Sequence, residues 1–317
     1  MKKLSILVFP FLLMVPSLSA NIITLDNNPG SVAMYSNLTD AYNAAEDGDT
    51  ILVAGSADSY GRIDSYKDLT IIGPGWRLSE NNIPGLSTVS ATLHVNFHED
   101  PLTGDSSGSS CIGLFGQFNS DPEITDILID KCTTAWAWRF KGPVTITRCI
   151  MGSTLTLDVS NSSISNSILS TVLLQQPNIS VTNCVINISI DAVPNTTITN
   201  TIFRITDAAK WDNDPSFDYC MTVGSSFLPE GNGNLNDQSQ AAVFAQTSSD
   251  SFYQLKEGSP AIGAGLGGAD MGAFGGPKPY VLAGLPGVPR LTRLTVPTTA
   301  TGLTALTFEV EAEAFPE

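Results

Sequence analysis

Four consecutive segments share one pattern that decides the fold: Ile146-Thr-Arg-Cys149, Ile164-Ser-Asn-Ser167, Val181-Thr-Asn-Cys184 and Ile198-Thr-Asn-Thr201. Their leading aliphatic residues recur at a nearly constant interval, and a similar segment begins one interval earlier at Ile129. Each copy is a short β-branched strand followed by a residue suited to a turn. The pattern therefore predicts short units without helices that coil and stack on one another.

The same period extends toward the N-terminus. Further members at Cys111, Leu93, Ile71 and Ile51 precede Ile129 at similar or slightly longer intervals. Strands in neighbouring coils are about 4.8 Å apart. The predicted fold is all-β: a right-handed parallel β-helix (solenoid) of about nine to ten coils. Leucine-rich repeats are excluded because no unit carries their leucine and asparagine framework.

Side chains alternate across each predicted strand, so the leading aliphatic residue points inward and its two neighbours point outward. In four successive coils these outward neighbours are Ser or Thr, and we call them the hydroxyl wall: Thr145, Thr147, Ser163, Ser165, Ser180, Thr182, Thr197 and Thr199. A rigid hydroxyl grid suits binding of sugars, mineral or ice. Thr is also an ordinary strand former, which is the alternative interpretation.

The turn after each strand predicts further buried positions. Asn183 and Asn200 suit a left-handed turn conformation, as glycine does. The turn is expected to reverse the alternation, so that four adjacent pairs point inward: Cys149 and Ile150, Ser167 and Ile168, Cys184 and Val185, and Thr201 and Ile202. Cys132 and Cys149 then lie within disulfide distance. Five cysteines in buried positions favour free thiols, and a disulfide stays open as the alternative.

The two ends of the chain carry their own patterns. Residues 1–20 combine a basic start, an apolar stretch and small residues, which predicts a signal peptide. The segment Asn37-Leu-Thr-Asp-Ala-Tyr-Asn-Ala-Ala45 predicts an amphipathic helix that caps the first coil. Residues 21–280 are predicted to form the β-helix with its cap and closure. Residues 281–317 are predicted to form a short β tail with strands at 291–296 and 303–310.

Charge and hydropathy argue against a nucleic-acid partner and against a membrane span in the body of the chain. The chain has 15 Lys and Arg against 31 Asp and Glu, and its net charge of −16 argues against nucleic acid. Beyond the N-terminal segment no stretch approaches the roughly 18 apolar residues of a membrane span. Only 15% of the residues are charged, which fits strands that expose Ser, Thr and Asn instead.

Several segments resemble bacterial right-handed parallel β-helix proteins of the pectin-lyase-like superfamily. Residues 37–53 are similar to their entry helix and first coil, and residues 68–75 to their second coil. Residues 259–265 and 270–274 are similar to the segment that closes such helices. The resemblance implies the architecture but no single activity, because members include lyases, hydrolases, adhesins and uncharacterised surface proteins.

The catalytic motifs of the superfamily's enzymes are absent. Its lyases use carboxylates that hold calcium, with Arg or Lys as base, and its hydrolases use paired Asp residues. His94 and His98 lie outside any Gly-His-Gly motif. A divergent catalytic site at Asp126, Asp130 and Arg148 is an alternative to a merely structural charged patch. Calcium is the one cofactor that this alternative admits, and no metal-ligand motif is found.

Two further clusters leave alternatives open. Trp136 and Trp138 are expected to present both indoles on one face, either to a glycan or to an insertion. Four aspartates surround Trp211 and form either a calcium or sugar site or an acidic surface loop: Asp207, Asp212, Asp214 and Asp218.

The sequence favours an exported, non-catalytic β-helix protein with a structural, adhesive or glycan-contacting role at the cell surface or outside the cell. The alternative is a polysaccharide lyase or glycoside hydrolase that acts on an acidic polysaccharide. A polysaccharide or cell-surface glycan is the expected partner, and the hydroxyl wall is the expected ligand-binding surface. Head-to-tail self-association is a further option, because a solenoid has open ends.

Overall fold

The computed structural model describes residues 20–80, 89–205, 215–247, 249–295 and 309–313. The chain coils into an all-β parallel solenoid of about ten turns, which confirms the predicted architecture. Successive turns add strands to two parallel sheets, sheet A with ten strands and sheet B with eleven.

Sheet A contains the strands that the repeat predicts. Its strands, in spatial order, are Ile22–Leu25, Thr50–Val53, Thr70–Ile72, Ser110–Ile112, Ile127–Asp130, Val144–Thr147, Ser163–Ser165, Ser180–Thr182, Thr197–Thr199 and Ser216–Asp218. The central residues of nine of these strands pair in one continuous, buried column that begins at Ile51 and ends at Phe217. Stacking of this column buries the apolar face that a single unit could not bury alone.

Sheet B forms the opposite wall of the core. Its strands are Gly61–Ser65, Thr92–Phe97, Phe115–Ser120, Thr133–Thr134, Trp138–Phe140, Ile150–Leu157, Ile168–Leu174, Val185–Ala192, Ile202–Phe203, Met221–Val223 and Leu235–Gln238. The strands Thr133–Thr134 and Trp138–Phe140 belong to one turn, and both pair with the strands on either side. A small antiparallel pair, Glu99–Asp100 with Gly104–Asp105, lies outside both sheets.

One assignment of the repeat is wrong. Leu93 lies on sheet B, where it pairs with Gly61 and Gly116. Ile71 pairs directly with Cys111 on sheet A, although the sheet B strand Thr92–Phe97 lies between them in the chain. The member expected one period before Cys111 thus belongs to the other sheet, because this turn carries extra residues that the period alone does not reveal.

The expected reversal of alternation after the turn is also wrong in part. Cys149, Ser167, Cys184 and Thr201 are completely buried, as predicted. Ile168, Val185 and Ile202 are buried in a separate cluster that includes Met271 and Ala273, whereas the next residues, Leu169, Ile186 and Phe203, lie in the main core. Alternation therefore simply continues, and a C-terminal segment covers the aliphatic side chains that point outward.

Residues 259–289 form this covering segment, which we call the strap. The backbone of the strap contacts Asn200 near its start and Asn183 and Asn166 farther along. At Gly284 it reaches Lys131 and Trp76. The strap thus runs back along one corner of the solenoid, opposite to the order in which the turns were added. It includes two short 3-10 helices, Leu266–Gly268 and Leu282–Gly284.

The predicted entry helix spans Leu38–Ala44 and begins at Asn37, whose side chain accepts hydrogen bonds from the backbone N–H groups of Thr39 and Asp40. It packs against Gly61–Ser65 and Ile22–Leu25, the first strand of each sheet. A second helix, Gln240–Val243, and a 3-10 helix, Ser249–Tyr253, follow the last strand of sheet B.

The tail forms an antiparallel pair of strands, Arg290–Thr295 and Glu309–Glu313. The first strand agrees with the prediction, and the second extends beyond the predicted 303–310. Residues 1–19, which carry most of the predicted signal peptide, and residues 296–308 lie outside the described part of the chain. Among the described residues, no helix is both long enough and apolar enough to cross a membrane.

Candidate functional site

The structure brings the eight residues of the hydroxyl wall together in two columns on the outer face of sheet A. Thr145 pairs in register with Ser163, and Ser180 and Thr197 continue that column. The other four residues form the second column, which begins at Thr147. Hydroxyls of neighbouring strands bond to each other, with Ser163 to Thr145 at 3.3 Å and Ser165 to Thr147 at 3.0 Å.

An asparagine ladder that sequence reasoning misses borders this wall. Asn161, Asn178 and Asn195 each have φ of +61° and are exposed, and we call them the bare ladder. Their side chains make no hydrogen bond with other described residues. Together with Ser163, Ser180 and Thr197 of the hydroxyl wall they line a shallow groove of about 410 Å³. The regular recurrence of these asparagines, each shortly before a sheet A strand, is the signal that could reveal them.

The alternative catalytic residues come together only in part. The Arg148 guanidinium donates from Nε and Nη2 to Asp130 Oδ1 and Oδ2 at 2.8 and 2.7 Å, and this pair is almost completely buried. Burial raises the pKa of the Asp130 carboxyl against the opposing effect of Arg148. Asp126 is exposed and directly precedes the strand Ile127–Asp130, so its Cα lies about 13 Å from that of Asp130 at about 3.3 Å per residue. The three residues do not form one site.

The two tryptophans also separate, so the expectation of a shared face is wrong. Trp138 is completely buried, and its Nε1 donates to the Gly116 carbonyl at 2.9 Å. Trp136 lies outside the core with 39% exposure and packs edge-on against His94, with ring centroids 4.8 Å apart. The strand is interrupted between Thr133–Thr134 and Trp138–Phe140, and this break places the two indoles on different sides.

A set of carboxylate, amide, imidazole and cationic side chains lies on the outer face of sheet B. One column of this face contains Asp64, Asn96, Asn119 and Arg139, which pair in register across four strands. A second column, directly after the ends of these strands, contains His98, Asp121, Lys141 and Asp158. We call these eight residues the polar strip. They follow buried residues of the core in each strand, which is why they point outward.

Hydrogen bonds link the polar strip from turn to turn. Asn96 Nδ2 donates to Asp64 Oδ1 at 2.7 Å, and Asn119 Nδ2 donates to Asn96 Oδ1 at 3.1 Å. Arg139 continues the row, because its backbone N–H donates to Asn119 Oδ1 and its guanidinium pairs with Asp158. The bond from Asn96 lowers the pKa of the Asp64 carboxyl. These side chains are therefore held in place before any ligand arrives.

A cavity of about 260 Å³ opens between the two columns. His98 lies at its wall, where Nδ1 is 2.6 Å from Asp121 Oδ2 and Nε2 is 3.5 Å from Asp64 Oδ1. The Tyr66 ring stacks on the imidazole with centroids 5.2 Å apart. The imidazole is therefore fixed in orientation at the cavity wall by two carboxylates and an aromatic ring.

Sequence reasoning misses the polar strip. Asp64, Asn96, Asn119 and Arg139 follow one another at unequal intervals along the chain. The insertions in these early turns hide the register that the later turns display. His98 matches no familiar motif, and no signal in the sequence places it beside Asp121.

The remaining candidates are structural or lie outside the described residues. All five cysteines are free and buried, and burial raises the thiol pKa of Cys184 and of Cys220 to about 12. Within the described ranges, no three His, Cys, Asp or Glu side chains gather in a group that could hold a metal ion. Of the acidic cluster around Trp211, Asp218 is described and accepts a hydrogen bond from Ser216 at 2.8 Å. The other members lie in residues 206–214, outside the described ranges.

Comparisons with family models, curated proteins and solved structures found no match to this chain.

Proposed function

We propose that this chain is an exported, non-catalytic β-helix protein of the pectin-lyase-like kind that its segments resemble, and that it binds a glycan along the polar strip. Export is supported by the pattern of residues 1–20, and the superfamily by the segments compared above. The observation that carries glycan binding is the hydrogen-bonded row Asp64, Asn96 and Asn119, which ends in the Arg139–Asp158 ion pair.

The chemistry of the strip suits a saccharide chain. Amide, carboxylate and guanidinium groups each present two donors or acceptors in one plane, and adjacent sugar hydroxyls can bond to both. Charge-assisted hydrogen bonds are about twice as strong as neutral ones. Trp136 and His94 add aromatic surface next to the strip, against which the apolar face of a sugar ring can pack. Because the row is already bonded internally, binding orders few side chains.

The hydroxyl wall is the competing glycan surface, and its chemistry is weaker. It offers single hydroxyls, two of which already donate to hydroxyls of the preceding strand. It contains no charged or aromatic side chain among its eight members. Net hydrogen bonds between neutral groups contribute only about 1 kcal/mol each in water, so the wall would need many simultaneous contacts to retain a glycan.

Retention on a panel of immobilised polysaccharides tests the proposal. The strip variants are Arg139→Gln and Asp121→Asn, which each remove one charge. Asn has the same shape as Asp, and Gln is a shorter polar replacement for Arg. A hydrogen bond to a charged group contributes roughly 1.5–3 kcal/mol, so each variant should bind about tenfold or more weakly.

The matched control is the double variant Thr182→Val and Thr197→Val on the hydroxyl wall. It removes two hydroxyls and keeps both β-branched shapes, so retention should stay within about twofold of the original. Loss of retention in this variant with no loss in Arg139→Gln would move the function to the wall. Failure of the unaltered protein to bind any acidic or neutral polysaccharide would contradict glycan binding altogether.

One observation favours a second candidate function, cleavage of the bound glycan as a polysaccharide lyase or glycoside hydrolase. His98 lines the cavity with both ring nitrogens beside carboxylates, Nδ1 at 2.6 Å from Asp121 and Nε2 at 3.5 Å from Asp64. Such an arrangement suits general acid–base chemistry. Incubation with an acidic polysaccharide, with and without calcium, should then yield new reducing ends or unsaturated products. The His98→Gln variant should lose this turnover and still retain the glycan.

A further inference from the structure

A second cleft lies on the other sheet, between the outer face of sheet A and the end of the strap. It measures about 530 Å³, and its lining combines charged residues, aliphatic residues and the proline-rich end of the strap: Ile72, Ile112, Leu128, Asp130, Lys131, Arg148, Lys278 and residues 286–289. The volume falls in the usual range of small-molecule sites, about 300–1,000 Å³. This cleft shares no lining residue with the cavity of the polar strip.

The charge of the cleft is opposite to that of the chain. Three of the 15 basic residues of the protein line it, with one carboxylate, although the net charge of the chain is −16. Lys131 and Arg148 are 2% and 8% exposed, so two of these cations are held in a largely dehydrated setting. An anion that enters the cleft would therefore meet the Arg148 guanidinium and the Lys278 ammonium, and screening by water is weak beside the buried Arg148.

Arg148 presents part of its guanidinium to this cleft. Its Nε and one hydrogen of Nη2 are taken by Asp130. A guanidinium has five N–H groups, and the other three bond to no atom of the residues that the structure describes. Because Asp130 fixes the guanidinium plane, these N–H groups are oriented in advance for a second planar or tetrahedral anion.

The opposite part of the cleft is apolar. Ile72 and Ile112 are neighbours in the column that leads to Asp130, and Leu128 lies on the same outward face. All three side chains are only half-buried, which leaves aliphatic surface facing the cleft. The prolines at 286 and 289 close the other side. A ligand that fits must therefore carry an apolar body as well as an anionic group.

We propose that this cleft binds a small organic anion, namely a carboxylate or phosphate attached to an apolar ring or chain. The anionic group bonds to Arg148 and lies near Lys278 and Lys131, and the apolar body packs on Ile72, Ile112 and Leu128. The site is independent of the glycan strip. The alternative is that the Asp130–Arg148 ion pair has only a structural role beside the strap. In that case no anion should bind with the selectivity described next.

Calorimetric titration of the full chain with five probes tests the ligand class. Benzoate and phenyl phosphate combine an anion with a ring, acetate and inorganic phosphate carry the anion alone, and benzyl alcohol carries the ring alone. Burial of the ring should make benzoate bind at least about tenfold more tightly than acetate. Benzyl alcohol should bind at least about tenfold more weakly than benzoate, because it cannot use the cations. Equal affinity for benzoate, acetate and benzyl alcohol, or no benzoate binding at all, would overturn the proposal.

Three variants locate the binding. Lys278→Gln removes an exposed cation at the rim and should weaken benzoate about two- to fivefold. Its matched control is Lys256→Gln, an exposed lysine outside the cleft, which should leave the affinity unchanged. Leu128→Thr keeps a strand-forming residue and should reduce the preference for benzoate over acetate. If Lys278→Gln and Lys256→Gln weaken benzoate equally, the anion is bound by the general surface and the cleft assignment is wrong.

Discussion

Asparagine occupies two different corners of the solenoid, and the two sets have opposite surroundings. Asn166, Asn183 and Asn200, which we call the covered ladder, follow their sheet A strands with φ of 48°, 52° and 52°. The bare ladder, Asn161, Asn178 and Asn195, precedes the same strands with φ of 61°. Both ladders therefore use asparagine for the same local purpose, a left-handed turn that other non-glycine residues disfavour.

The two ladders differ because the strap covers one of them and forms hydrogen bonds with its asparagine side chains. Asn166 Nδ2 donates to the Gly275 carbonyl at 2.7 Å, and Asn183 Nδ2 donates to the Asp270 carbonyl at 3.1 Å. Asn200 Oδ1 accepts from the Leu266 backbone N–H at 2.8 Å. These amides thus satisfy the backbone of a segment with no regular partner strand. We call these hydrogen bonds between asparagine side chains and the strap backbone the clamp. The same left-handed asparagine turn therefore either holds a distant segment of the chain or forms exposed polar surface, depending on whether the strap covers it.

The largest loss of stability is expected from a substitution in the apolar contact between the strap and sheet B. Met271 is completely buried beside Val185 and Ile202. Replacement of such a residue by alanine costs about 2–5 kcal/mol of unfolding free energy, so Met271→Ala should destabilise the protein in that range. Ile188→Ala is the control, because Ile188 is 61% exposed on a strand of the same sheet. Denaturant unfolding should show a much smaller loss for it, and equal losses would mean that the strap is not packed as described.

The next effect separates the two ladders directly. Asn183→Ala and Asn178→Ala each place alanine in a left-handed turn, which costs roughly 1–2 kcal/mol. Asn183→Ala also leaves the partly buried strap carbonyl of Asp270 without its donor, which adds about 1–3 kcal/mol. Chemical denaturation should therefore give a clearly larger loss for Asn183→Ala. Equal losses would show that the clamp contributes nothing beyond the turn.

A smaller loss of stability, measured in glycine variants, separates the contribution of the hydrogen bonds to the strap from that of the left-handed turn. Glycine adopts the left-handed conformation without strain, so Asn178→Gly should change the unfolding free energy by no more than about 0.5 kcal/mol. Asn183→Gly still loses its hydrogen bond to the strap and should cost about 1–2 kcal/mol. Amide hydrogen exchange in residues 259–276 should accelerate in Asn183→Gly and stay unchanged in Asn178→Gly. Faster exchange in both variants would break the distinction between the ladders.

The features of the fold that follow directly from a constant repeat period can be predicted from the sequence. From Ile129 onward the turns are nearly equal in length, so the inward column, the hydroxyl wall and the left-handed asparagines of the covered ladder can be placed correctly. In the earlier turns, insertions break the period, which is why the repeat assigns Leu93 to the wrong sheet. Local alternation remains readable there, but the register between strands does not, because register depends on the length of each loop.

Two features escape sequence-based prediction because they depend on contacts between distant segments. Residues 259–265 and 270–274 resemble a closing segment, but their own sequence does not reveal that they lie along the covered ladder. The polar strip needs the true register of Asp64, Asn96, Asn119 and Arg139, which only the assembled coils supply.

The alternative catalytic site shows the same limit on a smaller scale. The repeat correctly brings Asp130 and Arg148 together, because they lie in neighbouring regular turns. Asp126 is close to Asp130 in the sequence, and that closeness hides the length of an extended strand.

The smallest effect on stability concerns the strand Ile127–Asp130, in which Asp130 lies beside the strap, whereas Asp126 directly precedes the strand at the exposed corner. Burial raises the pKa of Asp130 above its ordinary value of 3.8, so the folded state holds the proton more tightly than the unfolded state. Where the folded state binds more protons, stability falls as pH rises. The contribution of Asp130 is therefore greatest below its ordinary pKa and declines as the pH rises through the raised pKa.

Replacement of the carboxyl by an amide tests this pH dependence. Asp130→Asn should destabilise the protein more at about pH 4 than at about pH 7 in paired unfolding measurements. Asp126→Asn is the control, because it removes one carboxylate from the exposed end of the same strand. A larger loss of stability from Asp130→Asn at neutral pH would mean that Arg148, rather than burial, determines the direction of the Asp130 pKa shift.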